Sequence, residues 1–189
     1  VPVESLIHSP QAERDRVVGL LITLLFREIF DFQLIQTDPN FANFRYDTAT
    51  RQLILLDFGA TRVYPAAIVD AYRRLLLGAM SGDRPAMSTA ASDIGYFQGS
   101  IQEKHRQAIL DIFAQACAPL SHAGEFDFGQ TDLAARIRDA ALVLSREKDL
   151  WHTPPADALF LHRKLGGLYL LAVKLKARVN VQSLVKGFL

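Results

Sequence analysis

Three oxygen-bearing side chains lie close together early in the chain, and their types suit magnesium and phosphate chemistry. Asp38 and Asn43 are five residues apart in a polar loop, and Asp57 follows fourteen residues after Asn43, directly after a short β-type run. Mg²⁺ prefers such hard oxygen ligands, usually completed by water and phosphate oxygens. We therefore predict that Asn43 and Asp57 bind Mg²⁺, while Asp38 orients or deprotonates an attacking hydroxyl group or water molecule.

Two short β-type runs separate Asn43 from Asp57 and explain how the three side chains could meet. The runs 43–46 and 52–56 are joined by a turn-rich spacer, which is typical of a β-hairpin. A hairpin returns its end close to its start, so Asp57 would come within reach of the loop that carries Asp38. The order of aspartate, four residues, asparagine, hairpin and Asp-Phe-Gly matches the catalytic and metal loops of protein kinases, which indicates phosphoryl transfer.

The rest of the chain is predicted to be mainly helical. The first helix is expected to run from Ser9-Pro10 to about Asp31, with Ser9 as its N-cap, and its apolar middle indicates a helix enclosed by protein. The expected fold is mostly α (α+β), a single helical domain over residues 1–189 with one small β-hairpin that carries both polar loops. Further helices are predicted at residues 66–80, 84–93, 101–117, 131–145, 155–177 and 181–188.

The composition narrows the class of protein. Half of the 189 residues are hydrophobic and 22% are charged, which excludes an intrinsically disordered chain. Lys and Arg number 21 against 20 Asp and Glu, so the net charge of +1 gives no broad attraction to nucleic acid. The single cysteine, Cys117, excludes an internal disulfide and a cysteine-rich metal site, and it is expected to be inert. His162 lies within an apolar helical run, where we expect a structural role.

The sequence around the three polar residues resembles the aarF-domain (UbiB/ADCK) family of atypical kinases. Residues 36–44 read Gln-Thr-Asp-Pro-Asn-Phe-Ala-Asn-Phe and residues 56–62 read Leu-Asp-Phe-Gly-Ala-Thr-Arg. In that family Gln-Thr-Asp-Pro replaces the usual His-Arg-Asp of protein kinases. Residues 125–129, 161–167 and 174–178 also resemble the branch that is tied to ubiquinone biosynthesis.

The resemblance implies the C-terminal lobe of a protein-kinase-like fold that works with ATP and Mg²⁺. Residue by residue, it implies Asp38 as the catalytic aspartate and Asn43 and Asp57 as magnesium ligands. It implies phosphoryl transfer or ATP hydrolysis in support of ubiquinone biosynthesis. The strand lysine, the loop over the nucleotide and the Lys-x-Gly-Gln motif of the family do not occur in this sequence. We therefore expect that the N-terminal lobe is missing from this chain, and that the chain alone is inactive.

Partners and location follow from the same resemblance. Besides ATP and the missing lobe, the expected partners are ubiquinone-biosynthesis proteins and a lipid or membrane surface, and no nucleic acid is expected. A membrane surface could be contacted by four basic residues, although a solvated helix end is their more usual role: Lys174, Lys176, Arg178 and Lys186. The expected location is the bacterial cytoplasm, at the periphery of the inner membrane, or the matrix side of a mitochondrion in a eukaryote.

Two alternative functions remain open. A small-molecule phosphotransferase of the aminoglycoside or choline kinase type also uses an aspartate and an asparagine five residues apart and a later metal-binding aspartate, but it usually lacks Phe-Gly after that aspartate. The other alternative is a non-catalytic interaction domain from a truncated gene.

Overall fold

The structure, a computed structural model, describes residues 1–38, 40–97, 101–146 and 155–189, with only the backbone of residues 144–146. It is mostly helical, as predicted. The helices in these ranges are α1 (Gln11–Phe30), α2 (Ala66–Ser81), α3 (Arg84–Ile94), α4 (Glu103–Ala116), α5 (Ala118–Ser121), α6 (Leu133–Arg146), α7 (Ala156–Lys174) and α8 (Val181–Val185), with 3₁₀ turns at Val3–His8 and Phe41–Asn43.

The strands form three antiparallel pairs, not only the one predicted hairpin. They are β1 (Leu34–Gln36), β2 (Phe44–Asp47), β3 (Gln52–Leu55), β4 (Thr61–Val63), β5 (Phe126–Asp127) and β6 (Arg178–Val179), paired as β1–β4, β2–β3 and β5–β6. The predicted hairpin is β2–β3, in which Phe44 lies opposite Leu55. The other two pairs join short strands that are distant in sequence, and such strands leave no alternating pattern in the sequence.

Helix α1 passes through the core, as its apolar middle predicted. It packs against α7, α8 and β1, and Val17, Val18 and Leu25 are almost fully buried. The prediction of Ser9 as its N-cap is wrong. The N-cap is Pro10, whose carbonyl accepts the first helical N–H groups, while Ser9 belongs to the end of the preceding 3₁₀ turn.

A tight helical pair, α2 and α3, follows the site region. Gly82 ends α2 with a φ of 73°, a left-handed conformation that glycine adopts without strain. The side chain of Asp83 then caps α3 by accepting the N–H of Ala86 at 3.0 Å. Among the described helices, none is both long enough and apolar enough to cross a membrane.

Candidate magnesium and phosphate site

Two backbone hydrogen bonds join the polar loop between β1 and β2 to the segment that follows β3. At the start of the loop, the N–H of Thr37 donates to the carbonyl of Ala60 at 2.7 Å. At its end, the N–H of Leu56 donates to the carbonyl of Asn43 at 2.9 Å. Asp57 lies between Leu56 and Ala60. The structure therefore holds the loop against the segment that contains Asp57 at both ends of the loop. The Leu56 bond lies at the end of the predicted hairpin, whereas the Thr37 bond continues the β1–β4 pair, which was not predicted.

Gln36 and Thr37 add side-chain contacts at the start of the loop. Gln36 is buried, and its Nε2 donates to the carbonyl of Asp57 at 3.1 Å. Thr37 Oγ1 donates to the carbonyl of Ala60 at 3.1 Å, so this carbonyl accepts from both the main chain and the side chain of Thr37. The two residues that precede Asp38 thus contact the Asp-Phe-Gly tripeptide at its first residue and the alanine that directly follows it.

The three predicted site residues present oxygens that remain available. Asp57 is exposed, and its Oδ1 accepts the N–H of Gly59 at 2.8 Å. Asp38 is half-buried, and its Oδ1 accepts the N–H of Asn40 at 3.2 Å. Within the described part of the chain, Oδ2 of both aspartates and the side chain of Asn43 make no hydrogen bond. Pro39 of the Gln-Thr-Asp-Pro motif lies outside the described residues.

This set of donors fits Mg²⁺ in the way that phosphate-binding sites use it. Mg²⁺ is usually held by one or two protein oxygens, with water and phosphate oxygens filling its octahedron. One carboxylate from Asp57 and one amide oxygen from Asn43 match that number. In the ranges that the structure describes, no three His, Cys, Asp or Glu side chains form a metal-binding group by themselves.

A buried ion pair lies behind the site and was not predicted from the sequence. Lys164 of α7 donates to the carboxylate of Glu28 in α1, and both residues are less than a tenth exposed. Burial raises the pKa of Glu28 and lowers the pKa of Lys164, while each charge partly offsets the shift of the other. The backbone N–H of Gln36 faces the Glu28 carboxylate and also partly offsets the rise in its pKa. The signal in the sequence was weak, because Glu28 stands beside Arg27 at the end of one apolar helical run and Lys164 stands beside Arg163 within another.

The predicted structural role of His162 and the predicted inertness of Cys117 agree with their surroundings. His162 is half-buried, its Nε2 lies 2.5 Å from the Tyr96 hydroxyl, and its ring stacks on the Tyr96 ring. Burial lowers the pKa of His162 to about 4, so the ring is neutral near pH 7. Burial likewise raises the pKa of the Cys117 thiol to about 12, which suppresses the reactive thiolate.

Comparison with solved structures identifies the fold. The chain is similar to the Rv3197 protein of Mycobacterium tuberculosis, solved in complex with erythromycin, with a TM-score of 0.75 and 17% sequence identity. The similarity covers 100% of this chain and 47% of that protein. The fold is that of a protein-kinase-like C-terminal lobe, which confirms the predicted fold class.

Sequence comparison identifies the family. Residues 3–91 match the ABC1 atypical kinase-like domain. The chain is 32% identical to the mitochondrial atypical kinase COQ8B of Rattus norvegicus over 97% of this chain and 34% of the relative. It is 34% identical to the mitochondrial atypical kinase coq-8 of Caenorhabditis elegans over 97% of this chain and 24% of the relative. The chain belongs to the UbiB/ADCK family of atypical kinases and spans about a third or less of the length of these relatives.

Proposed function

We propose that this chain is the C-terminal lobe of an atypical kinase or ATPase that uses Mg²⁺ and ATP and supports ubiquinone biosynthesis. The main supporting observation is the pair of backbone hydrogen bonds that hold the loop of Asp38 and Asn43 against the segment of Asp57. Family membership adds support, because the Gln-Thr-Asp-Pro and Asp-Phe-Gly motifs of the family are complete at these positions.

Each of the three residues has a distinct role in this proposal. Asp57 and Asn43 would bind Mg²⁺ through one carboxylate oxygen and one amide oxygen. When bound, the ion supplies positive charge that offsets the negative charge of the phosphate oxygens. The hydrogen bond from Gly59 holds one oxygen of Asp57 and leaves the other free for the metal. Asp38 would accept a hydrogen bond from the attacking hydroxyl group or water molecule and orient it.

The mitochondrial location of the named relatives supports a mitochondrial location if the protein is eukaryotic, and within the mitochondrion we propose the matrix side. If the protein is bacterial, we propose the cytoplasm at the periphery of the inner membrane. Electrostatic contact with a membrane would be weak. Lys174 pairs with Glu4 at 3.2 Å and Arg178 pairs with Asp127 at 3.0 Å, so half of the four basic residues are already neutralised. A lipid partner therefore needs apolar contacts as well.

The role of Asp38 is tested by separating turnover from ATP binding in the native protein. Asp38→Asn is expected to reduce the rate of Mg²⁺-dependent ATP turnover about 100-fold while changing ATP affinity little, since Asp38 acts on the attacking oxygen. The control is Asp139→Asn, which changes an exposed aspartate in α6. Equal losses of turnover and affinity in Asp38→Asn would contradict this role.

The need for a second lobe is tested with the 189-residue chain itself. Calorimetry with Mg²⁺-ATP is expected to show only weak binding, because an open, hydrated site leaves electrostatic interactions near their weak aqueous strength. Micromolar affinity, or steady phosphate release that disappears in Asp57→Asn, would show that this chain holds a complete site.

A further inference from the structure

We propose that Gln36 is a positioning residue, which is held by the buried Glu28–Lys164 ion pair and fixes the segment of Asp57 against the loop of Asp38. Gln36 itself would touch neither nucleotide nor metal. The metal role of Asp57 in this inference rests on the proposed function, whereas the coupling of the two segments can be tested without it.

The side chain of Gln36 bonds to Asp57 through its amide nitrogen, while its amide oxygen is left without a partner among the described residues. Its Nε2 donates to the Asp57 carbonyl, and because a carbonyl can only accept, the orientation of the amide is settled. Its Oε1 is then buried and has no partner among the described residues. An apolar side chain would avoid this unfavourable unpaired acceptor. The position is therefore better explained by the contact with Asp57 than by stability of the core.

The backbone of Gln36 is fixed from the opposite side. Its N–H faces the carboxylate of Glu28 closely enough to act on it electrostatically, and Glu28 is held in turn by Lys164. A buried ion pair is often no more stabilising than a pair of apolar residues of similar size. Stability alone therefore does not explain why Glu28 and Lys164 are present here. The pair joins α1 and α7 to the last residue of β1, which is the residue that contacts Asp57.

Asp57 depends on such support because its own side chain has little. The residue is exposed, and the N–H of Gly59 is its one side-chain partner in the described part of the chain. Its position is therefore set mainly by its backbone, through the Gln36 contact and the neighbouring bond between Thr37 and Ala60. Residues that orient a metal ligand typically change metal affinity about 10- to 100-fold when replaced.

The first test replaces Gln36 by methionine, which has a similar length and no amide. In the native protein, Gln36→Met is expected to weaken Mn²⁺ binding in the presence of ATP about 10-fold. Backbone hydrogen exchange at Thr37, whose N–H donates to Ala60, should become faster. The urea midpoint should not fall, since the unpaired Oε1 is removed as well. The control is Gln52→Met at the exposed first residue of β3.

The second test uses two double variants that each remove both buried charges. Glu28→Leu with Lys164→Met also removes the oxygens that face the Gln36 N–H, whereas Glu28→Gln with Lys164→Met keeps an oxygen there. The first double variant is expected to show about 10-fold weaker Mn²⁺ binding and faster exchange at Thr37, and the second should resemble the wild-type protein. Identical behaviour of the two would overturn the role of Glu28.

The outcomes separate this inference from the proposed function. A wild-type protein that bound neither ATP nor Mn²⁺ would overturn the proposed function, and with it the metal role of Gln36. A wild-type protein that bound both, together with a Gln36→Met variant unchanged in Mn²⁺ affinity and in Thr37 exchange, would overturn this inference alone. Unchanged Mn²⁺ affinity with a lower urea midpoint would show that Gln36 serves only stability.

Discussion

The tripeptide Asp-Phe-Gly occurs twice in this chain, and both copies form the same local turn. Asp57 Oδ1 accepts the N–H of Gly59 at 2.8 Å, and Asp127 Oδ1 accepts the N–H of Gly129 at 2.9 Å. An aspartate that bonds the backbone two residues ahead is a common turn, determined by local sequence alone. The turn itself therefore does not distinguish a metal site from a structural corner.

The phenylalanines of the two copies have opposite surroundings. Phe58 is 62% exposed, whereas Phe128 is 3% exposed. Phe128 packs edge-on against Phe126 and Tyr169, with ring centroids 4.9 and 5.5 Å away. The second copy is therefore anchored in the core, and the first is anchored only through its backbone.

The aspartates differ in the same way. Asp127 uses its second oxygen to pair with Arg178 at 3.0 Å, while the second oxygen of Asp57 makes no hydrogen bond or ion pair within the described ranges. Asp57 also lies near Asn43 along the backbone, because the N–H of its neighbour Leu56 donates to the carbonyl of Asn43. The candidate site is therefore distinguished by an aspartate oxygen without a partner near a second oxygen-bearing residue, and not by the Asp-Phe-Gly tripeptide itself.

The largest expected effect separates the two aspartates by activity. Asp57→Asn should lower Mg²⁺-dependent ATP turnover of the native protein about 1,000-fold, because in the proposed site it would remove a charged metal ligand, and should leave stability unchanged. Asp127→Asn keeps the turn and should retain nearly full turnover. Phosphate release at saturating Mg²⁺-ATP measures both variants. Comparable losses in the two would remove the functional distinction between the copies.

The helix bounds could be predicted from the sequence, but the long-range contacts that distinguish the two Asp-Phe-Gly copies could not. Helix bounds such as Ala66–Ser81 and Arg84–Ile94 were predicted within about a residue, because glycine and capping residues mark them locally. The pairing of β1 with β4 was missed, since its three-residue strands carry no alternating pattern and β4 is fully exposed. The burial of Phe128 depends on Tyr169, which is far away in sequence and was not predictable from local pattern.

The roles of Asp38, Asn43 and Asp57 remain predictions, although the structure joins the segments that carry them. Their order and spacing were legible in the sequence because a hairpin connects them directly. The contact of Gln36 with Asp57 could not be predicted from the sequence. It appears only when β1 pairs beside the segment of Asp57, and a buried glutamine has no distinctive signature in the sequence.

The second largest effect separates the two phenylalanines by stability. Phe128→Ala should lower the free energy of unfolding by about 3 kcal/mol, because it empties a buried site and removes two aromatic contacts. Phe58→Ala should change it by less than about 0.5 kcal/mol, since the side chain is mostly exposed. Urea unfolding followed by circular dichroism gives both values. A large loss in Phe58→Ala would show that the first copy is anchored in the core too.

Replacing the two glycines should give smaller effects of different kinds, with stability lowered in one variant and turnover lowered in the other. In Gly129→Ala, the added Cβ would lie 3.0 Å from Cβ and 3.3 Å from Cα of Lys176, so Lys176 must move away slightly, at about 1–2 kcal/mol. In Gly59→Ala, the Cβ would meet Oδ1 of Asp57 at 3.1 Å and its Cγ at 4.0 Å, but within 4 Å it would meet no described atom of another segment. The approach to the aspartate oxygen is common to both copies, since Cβ in Gly129→Ala would lie 3.2 Å from Oδ1 of Asp127. The Gly59→Ala variant should keep its stability and lose turnover about 10-fold as the carboxylate moves. Equal stability losses would contradict the difference in packing.

The smallest expected effect concerns the ion pair between Asp127 and Arg178. Arg178→Gln should lower the free energy of unfolding by less than about 1 kcal/mol, because the two side chains are 55% and 31% exposed. The difference from wild type should shrink further between about 0.1 M and 1 M NaCl, where the screening length falls from about 10 to 3 Å. Arg138→Gln, in a still more exposed pair with Asp139, is the matched control and should change stability even less. A loss for Arg178→Gln that exceeded about 2 kcal/mol, or that salt did not reduce, would mean that the pair is effectively buried, and that the second Asp-Phe-Gly turn is held by its charge as well as by Phe128.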